Sequence, residues 1–235
     1  MTALLAAEQL HAFYGAVHVL RGIDITIARG EAVALMGRNG MGKTTLLRAL
    51  MGLVQRRGRV LLAGQDMGAA APEDIARGGV AFVPEGRGIF ASLTVVENLV
   101  MAARSASDGR NAWTLERIFE LFPRLAERRR HWGNQLSGGE QQMLTIGRAL
   151  MTNPDLILID EATEGLAPMV AQTIWQTLRT IRAEGVAALV VDKDFRALSG
   201  LADRVLLMTK GEFVFCGTPT ELYAEYELLE RHLGV

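Results

Sequence analysis

The chain contains one cysteine, Cys216, among its 235 residues. A lone thiol can form neither an internal disulfide nor a multi-cysteine metal site, and such usage fits a reducing compartment. Hydrophobic runs are short, and none approaches the ~20 residues that a membrane-spanning helix requires. Met1 to Leu10 has no basic stretch of the kind that opens a signal peptide. Charge of one sign is also missing. Lys and Arg number 25 against 26 Asp and Glu, so there is no overall basic field to hold nucleic acid. No internal repeat or low-complexity tract is evident, and the ten methionines are scattered, as core filling requires. Composition is otherwise ordinary for a globular chain, 49% hydrophobic and 22% charged, and suits one large domain or one with a sizeable insertion. These absences predict a soluble, cytoplasmic protein that reaches a membrane only through partners.

The most informative stretch is Gly37 to Thr45, Gly-Arg-Asn-Gly-Met-Gly-Lys-Thr-Thr. It matches G-x-x-x-x-G-K-[ST], with an apolar strand (Ala32 to Met36) before it and a helix (Leu46 to Met51) after it. An ordinary strand-turn-helix corner would need glycines but not the Lys-Thr pair. Glycines let the backbone bring N–H groups up to phosphate oxygens, and the helix dipole favours the same anion. The candidate phosphate contacts are Gly37, Asn39, Gly40, Gly42, Lys43, Thr44 and Thr45. Lys43 is placed to reach the β- and γ-phosphates, and the Thr44 hydroxyl to ligate Mg²⁺. Nucleotide binding is the reading.

Upstream, residues 3 to 36 read as strands and turns, and Tyr14 closes a Phe13-Tyr14-Gly15 aromatic corner that either packs or stacks on a base. Gly58 to Ala63 and Val80 to Val83 read as short strands. Thr94-x-x-Glu97 is a capping box for a helix reaching Arg104, and Trp113 to Phe122 is a second helical stretch. Pro123 to His131 is basic, either a solvated face or a contact surface for a partner or phospholipid. Ser137-x-x-Glu140 is another capping box, opening a helix that continues through Met143 to Met151. Gly138 and Gly139 cost ~1 kcal/mol each in a first helical turn, which makes sense if backbone N–H groups must meet an anion unobstructed.

Leu156 to Ile159 reads as a fully buried parallel strand ending in Asp160-Glu161, which places both acids where α/β sheets bind ligands. Asp160 fits an acid that holds Mg²⁺, and Glu161 one that orients or deprotonates water. Pro168 opens a long helix that stops at Gly185, and Val186 to Val191 is a buried strand followed by Asp192-Lys193-Asp194. Lys210-Gly211 marks a hairpin, and Thr218-Pro219-Thr220-Glu221 caps the last helix.

With Gly37–Thr45, Leu136-Ser137-Gly138-Gly139-Glu140-Gln141 and Leu156–Glu161 in that order, the whole chain resembles ATP-binding-cassette ATPase subunits. It is similar in particular to the smaller ATPase subunit of branched-chain amino acid uptake systems. That narrower likeness is carried by Gly37–Met41, Val83-Pro84-Glu85-Gly86-Arg87, Glu161-Ala162-Thr163-Glu164-Gly165-Leu166-Ala167-Pro168 and the closing His232-Leu233-Gly234-Val235. The resemblance implies a single α/β cassette over residues 1–235: a RecA-like P-loop core, an antiparallel β part near the N-terminus, and a helical subdomain at about 86–152. It implies head-to-tail pairing with a second ATPase subunit, so that ATP and Mg²⁺ lie between one phosphate loop and the other subunit's Ser137, Gly138 and Gly139. Tyr14 falls at the family's adenine-stacking position. Two transmembrane permease subunits, and through them a periplasmic solute-binding protein, are the implied partners, with the ATPase at the cytoplasmic face of the inner membrane.

Two positions depart from the broader family. Glu85 stands where Gln is usual in the loop touching Mg²⁺, water and permease, and Lys193 stands where His is usual. A carboxylate remains an oxygen ligand, whereas Lys can hold a γ-phosphate but has no lone pair to accept a proton while charged. Uptake of urea, amides or aromatic acids would use the same engine. A non-transport cassette would call for coiled-coil insertions or a second cassette, and a small-molecule kinase would leave Ser137–Gln141 unexplained.

Overall fold

A computed structural model describes residues 3–106 and 112–233, so Gly234 and Val235 of the closing motif lie outside the described residues. The strands are β1 (Ala3–Tyr14), β2 (Val17–Ala28), β3 (Ala32–Met36), β4 (Gln55–Leu62), β5 (Gln65–Asp66), β6 (Val80–Val83), β7 (Leu156–Asp160), β8 (Ala187–Val191), β9 (Arg204–Thr209) and β10 (Glu212–Gly217). The helices are α1 (Lys43–Leu50), α2 (Pro72–Arg77), α3 (Val95–Val100), α4 (Leu115–Leu121), α5 (Pro123–Glu127), α6 (Gly138–Met151), α7 (Pro168–Ala183), α8 (Phe195–Ser199), α9 (Pro219–Ala224) and α10 (Tyr226–Leu233).

Two sheets organise them. The central one runs β10-β9-β3-β8-β7-β6, with β9, β3, β8, β7 and β6 parallel and β10 antiparallel at one edge. The other is antiparallel, β2-β1-β4-β5. Strands β3, β7 and β8 are buried along their whole length, as continuous apolar runs in a doubly covered parallel sheet must be. Their alternate residues face opposite ways. Ala34, Met36, Ile157 and Ile159 join the core under α6 and α7, while Val33, Leu35, Leu156 and Leu158 join the core shared with α1 and the antiparallel sheet. No helix among the described residues is long and apolar enough to cross a membrane.

Register sets the functional edge. Leu35 lies opposite Val191, Asp160 opposite Val191 and Val83 opposite Ile159. The loops that begin at Gly37, Pro84, Glu161 and Asp192 therefore leave the sheet side by side.

All three capping boxes form, at Thr94, Ser137 and Thr218. Some boundaries differ from the sequence reading. The helix expected to reach Arg104 ends at Val100, because the chain turns to let the Arg104 guanidinium bond the carbonyls of Ala76 and Arg77. The next helix starts at Leu115 rather than Trp113, since Thr114 caps it. The strand expected from Gly58 begins at Gln55, with Gly58 seated beside an irregularity in the β1–β4 register.

Asn98 on α3 is fully buried and fastens the loop before its helix. Its amide donates to the carbonyls of Phe90 (3.0 Å), Leu93 (3.1 Å) and Thr94 (3.0 Å), and its oxygen accepts from the Phe90 N–H (2.9 Å). Asn98→Leu conserves bulk but strands those partners, at ~1–3 kcal/mol for each group left unsatisfied. Urea unfolding should show a loss of at least ~2 kcal/mol; an unchanged midpoint would mean the bonds hold nothing together.

Candidate functional site

The loop from Gly37 to Gly42 wraps a cavity of about 320 Å³ lined by Val19, Asn39, Gly40, Gly42, Lys43, Thr44, Thr45, Glu85, Glu161 and Glu164. Gly37 has φ 146°, and a Cβ there would lie 2.4 Å from the Met208 carbonyl oxygen, so the turn out of β3 admits only glycine. Gly37 therefore shapes the loop from behind rather than lining the cavity. Lys43, the first residue of α1, is buried, and its ammonium donates to the carbonyls of Gly37 (2.8 Å) and Arg38 (3.1 Å). Burial lowers its pKa below the usual lysine value; Asp160 opposes that shift and Lys193 adds to it.

Beneath the loop, the Thr44 hydroxyl donates to Asp160 Oδ1 at 3.2 Å. Asp160 is 1% exposed at the end of β7, and its Oδ2 has no hydrogen-bond partner among the described residues. Burial raises its pKa above the ordinary aspartate range, with the Thr44 bond acting against the rise and the Glu85 charge adding to it. Glu161 follows in the left-handed region at φ 50°, with its N–H bonded to the Val191 carbonyl at 2.9 Å. A non-glycine residue held there carries backbone strain, which persists where the surroundings over-determine it. The carboxylate of Glu161 lies close to those of Glu85 and Glu164; one oxygen from each lies within 4.8 Å of the other two.

Lys193 answers these acids. Its ammonium is 2.5 Å from Glu164 and 3.8 Å from Glu161. The loop carrying it is braced by Asp192, which accepts from the Thr163 hydroxyl (2.7 Å) and from the Lys193 N–H (2.7 Å). Glu161 and Glu164 thus form a shared wall between the first cavity and a neighbouring hollow of about 360 Å³ that includes Thr163, Asp192, Lys193 and Asp194.

Of the residues singled out from sequence, Asn39, Gly40, Gly42, Lys43, Thr44, Thr45, Glu85 and Glu161 come together around one cavity, with Asp160 below and Lys193 behind. Tyr14 stands outside it, 43% exposed at the tip of the β1–β2 hairpin. Ser137, Gly138 and Gly139 also stand outside, at the start of α6. Two lining residues escape sequence reasoning. Val19 looks like any strand residue, and the only signal for Glu164 is its place three residues after Glu161 in a loop leaving the same sheet edge.

This geometry has relatives. The ABC transporter family model matches residues 20–164. The chain belongs to the ABC transporter family. Its sequence is 37% identical to the high-affinity branched-chain amino acid transport ATP-binding protein BraG of Pseudomonas aeruginosa, over 98% of this chain and 100% of that protein. It is also 30% identical to the lipopolysaccharide export system ATP-binding protein LptB of Escherichia coli, over 99% of this chain and 98% of that protein. Among solved structures it is similar to an ATP-binding subunit of an ABC transporter, with TM-score 0.83 and 28% identity, covering 96% of this chain and 94% of that one. A dimeric cassette in a post-hydrolysis state with ADP and Pi aligns with TM-score 0.78 and 26% identity, over 92% of this chain and 98% of that one. The fold is that of the ABC ATPase cassette, and the chain is an ATP-binding, ATP-hydrolysing subunit.

The raised pKa of Asp160 has a consequence for stability. The native chain binds that proton more readily than the unfolded chain, so the ionised carboxylate opposes folding once pH passes the unfolded value. Asp160→Asn should raise the melting temperature of the ligand-free protein at pH 8, with the gain shrinking toward the ordinary aspartate range. Thermal melts across pH check this; a lower melting temperature at pH 8 would show the carboxylate to be stabilising.

Proposed function

We propose that this cassette powers an importer of branched-chain or related amino acids. It would work as one of a pair of ATPase subunits, two copies or two different chains, beneath two transmembrane permease subunits served by a periplasmic solute-binding protein. Residues 1–235 form one cassette, in which the stretch of about 86–152 is the helical subdomain, and it sits at the cytoplasmic face of the inner membrane through its permeases. The observation that supports the cargo is the 37% identity to BraG over that protein's full length. Because LptB, an export protein, is also similar over almost the whole chain, the direction and cargo need a test of their own.

The mechanism follows from the sheet edge. Lys43 leaves the carbonyls of Gly37 and Arg38 for the β- and γ-phosphates, which meet the backbone N–H groups of the lining residues Asn39, Gly40, Gly42, Lys43, Thr44 and Thr45. Mg²⁺ fits the donor set, since the Thr44 hydroxyl and the carboxylates of Asp160 and Glu85 are hard oxygens and Asp160 Oδ2 is buried without a partner among the described residues. Bound there, the ion would neutralise charge on the phosphates. Glu161 orients water for attack on the γ-phosphorus and takes its proton as the bond to the β-bridging oxygen breaks, giving ADP and inorganic phosphate. Lys193 holds the γ-phosphate as a cation and, lacking a lone pair while charged, leaves the proton to Glu161. Tyr14 stacks on adenine beyond Val19. Ser137, Gly138 and Gly139 meet the γ-phosphate bound to the second subunit, so that ATP closes the pair and hydrolysis reopens it.

The test is uptake. Deleting this chain from its source cell should abolish energy-dependent accumulation of labelled leucine, isoleucine and valine. A wild-type copy should restore it, whereas Lys43→Ala and Glu161→Gln copies fall short by two or more orders of magnitude, about the scale of losing a general base. Undiminished uptake of all three amino acids in the deletion strain would overturn the cargo.

A further inference from the structure

The loop that leaves Glu85 is fixed to α6 with unusual thoroughness. Gly86, Arg87 and Gly88 all lie at positive φ, at 86°, 69° and 49°. Arg87 is the costly one, because a Cβ disfavours that region. Two side chains of α6 hold the curl. The Thr145 hydroxyl donates to the Arg87 carbonyl, and Arg148 donates to the Gly88 carbonyl at 2.7 Å while its guanidinium covers the Phe90 ring at 4.6 Å. Asn98 closes the far end through Phe90.

The curl throws the Arg87 side chain onto the first residue of α6. A Cβ built on Gly138 would lie 2.7 Å from one terminal nitrogen of Arg87, 2.8 Å from the other and 2.9 Å from the carbon between them. The guanidinium end of Arg87 thus packs against the bare Cα of Gly138. Gly139 is covered as well, with its would-be Cβ 2.6 Å from Val170 of α7. The guanidinium makes no ion pair among the described residues. Glu140, the acid of the same turn, is engaged elsewhere, accepting from the Ser137 N–H at 2.8 Å and facing Arg128 at 3.7 Å.

We propose that Arg87 is a positioning residue that ties the Glu85 loop to the Ser137–Gly139 turn and so couples the two ATP sites of a pair. The inference rests on the reading that each subunit serves its own ATP through Glu85 and its partner's through that turn. Glu85 lines the cavity two residues before Arg87, and the Arg87 guanidinium packs against Gly138. With Thr145 and Arg148 fastening the same loop to the same helix, a shift of Glu85 moves the turn with it. Arginine suits the role because its broad head brings two terminal nitrogens against the glycine, whereas lysine ends in one compact ammonium.

The test compares the wild type, Arg87→Ala and Arg87→Lys in steady-state hydrolysis against ATP concentration, with thermal melts alongside. ATP affinity is also measured at protein concentrations too low for pairing. The wild type should show a Hill coefficient above one. Arg87→Ala should leave the affinity of the separated subunit within about twofold, lower kcat by about tenfold, as a misplaced catalytic group does, and bring the Hill coefficient to one. Arg87→Lys should behave like Arg87→Ala, and both should melt within about two degrees of the wild type, as surface substitutions do. Wild-type kcat and Hill coefficient in both variants would overturn the role of Arg87 and leave the paired arrangement standing. A wild type that shows no cooperativity and no ATP-dependent pairing would instead overturn the paired arrangement, and this inference with it.

Discussion

One carboxylate is kept out of water at the end of the central sheet, and the functional edge is built around it. Asp160 ends β7 with one oxygen held by Thr44 and the other without a partner among the described residues. A buried ionised acid is expensive unless something compensates it. Its surroundings are polar and charged: Thr44 and Lys43 open α1, the loop before them is forced into shape by Gly37 against the β9 backbone, and Glu85 lines the same cavity. The central strands are apolar throughout because both faces are covered, and that burial is what makes the acid at their end so consequential.

The second layer of the site is a balance of acids against lysines. Glu85, Glu161 and Glu164 crowd together, and Lys193 leans toward the latter two from the neighbouring hollow. The pairing of Lys193 with Glu164 is tighter than with Glu161, so most of the ammonium's attraction falls on an acid with no role in the reaction proposed. Glu161 is left less tightly paired than Glu164. In this chain the departure from His to Lys and the acid at position 164 are one electrostatic arrangement.

Much of this was legible from sequence because it is local. The phosphate loop, the buried runs before Asp160 and Asp192, and the capping boxes at Thr94, Ser137 and Thr218 each depend on residues within a few positions of one another. What escaped depends on residues far apart in the chain. Arg104 reaches residues 76 and 77 beyond the end of α3, Lys193 folds over Glu164, and Arg87 packs against Gly138. Gly139 has a reason inside the chain besides the anion that its position suggests, because a Cβ there would lie 2.6 Å from Val170. Tyr14 shows the reverse case: its place at the hairpin tip follows from the strands, but its side chain stands clear of the cavity in the isolated subunit.

Thr44 and Asp160 are proposed to anchor a metal-bound nucleotide, and calorimetric titration of ATP into the wild type and into Thr44→Val, each with and without Mg²⁺, measures that anchor. Mg²⁺ should tighten ATP binding to the wild type by tenfold or more, about 1.4 kcal/mol. Thr44→Val should still bind ATP through Lys43 and the loop but lose that gain. A Thr44→Val protein that keeps the full Mg²⁺-dependent gain would place the metal elsewhere.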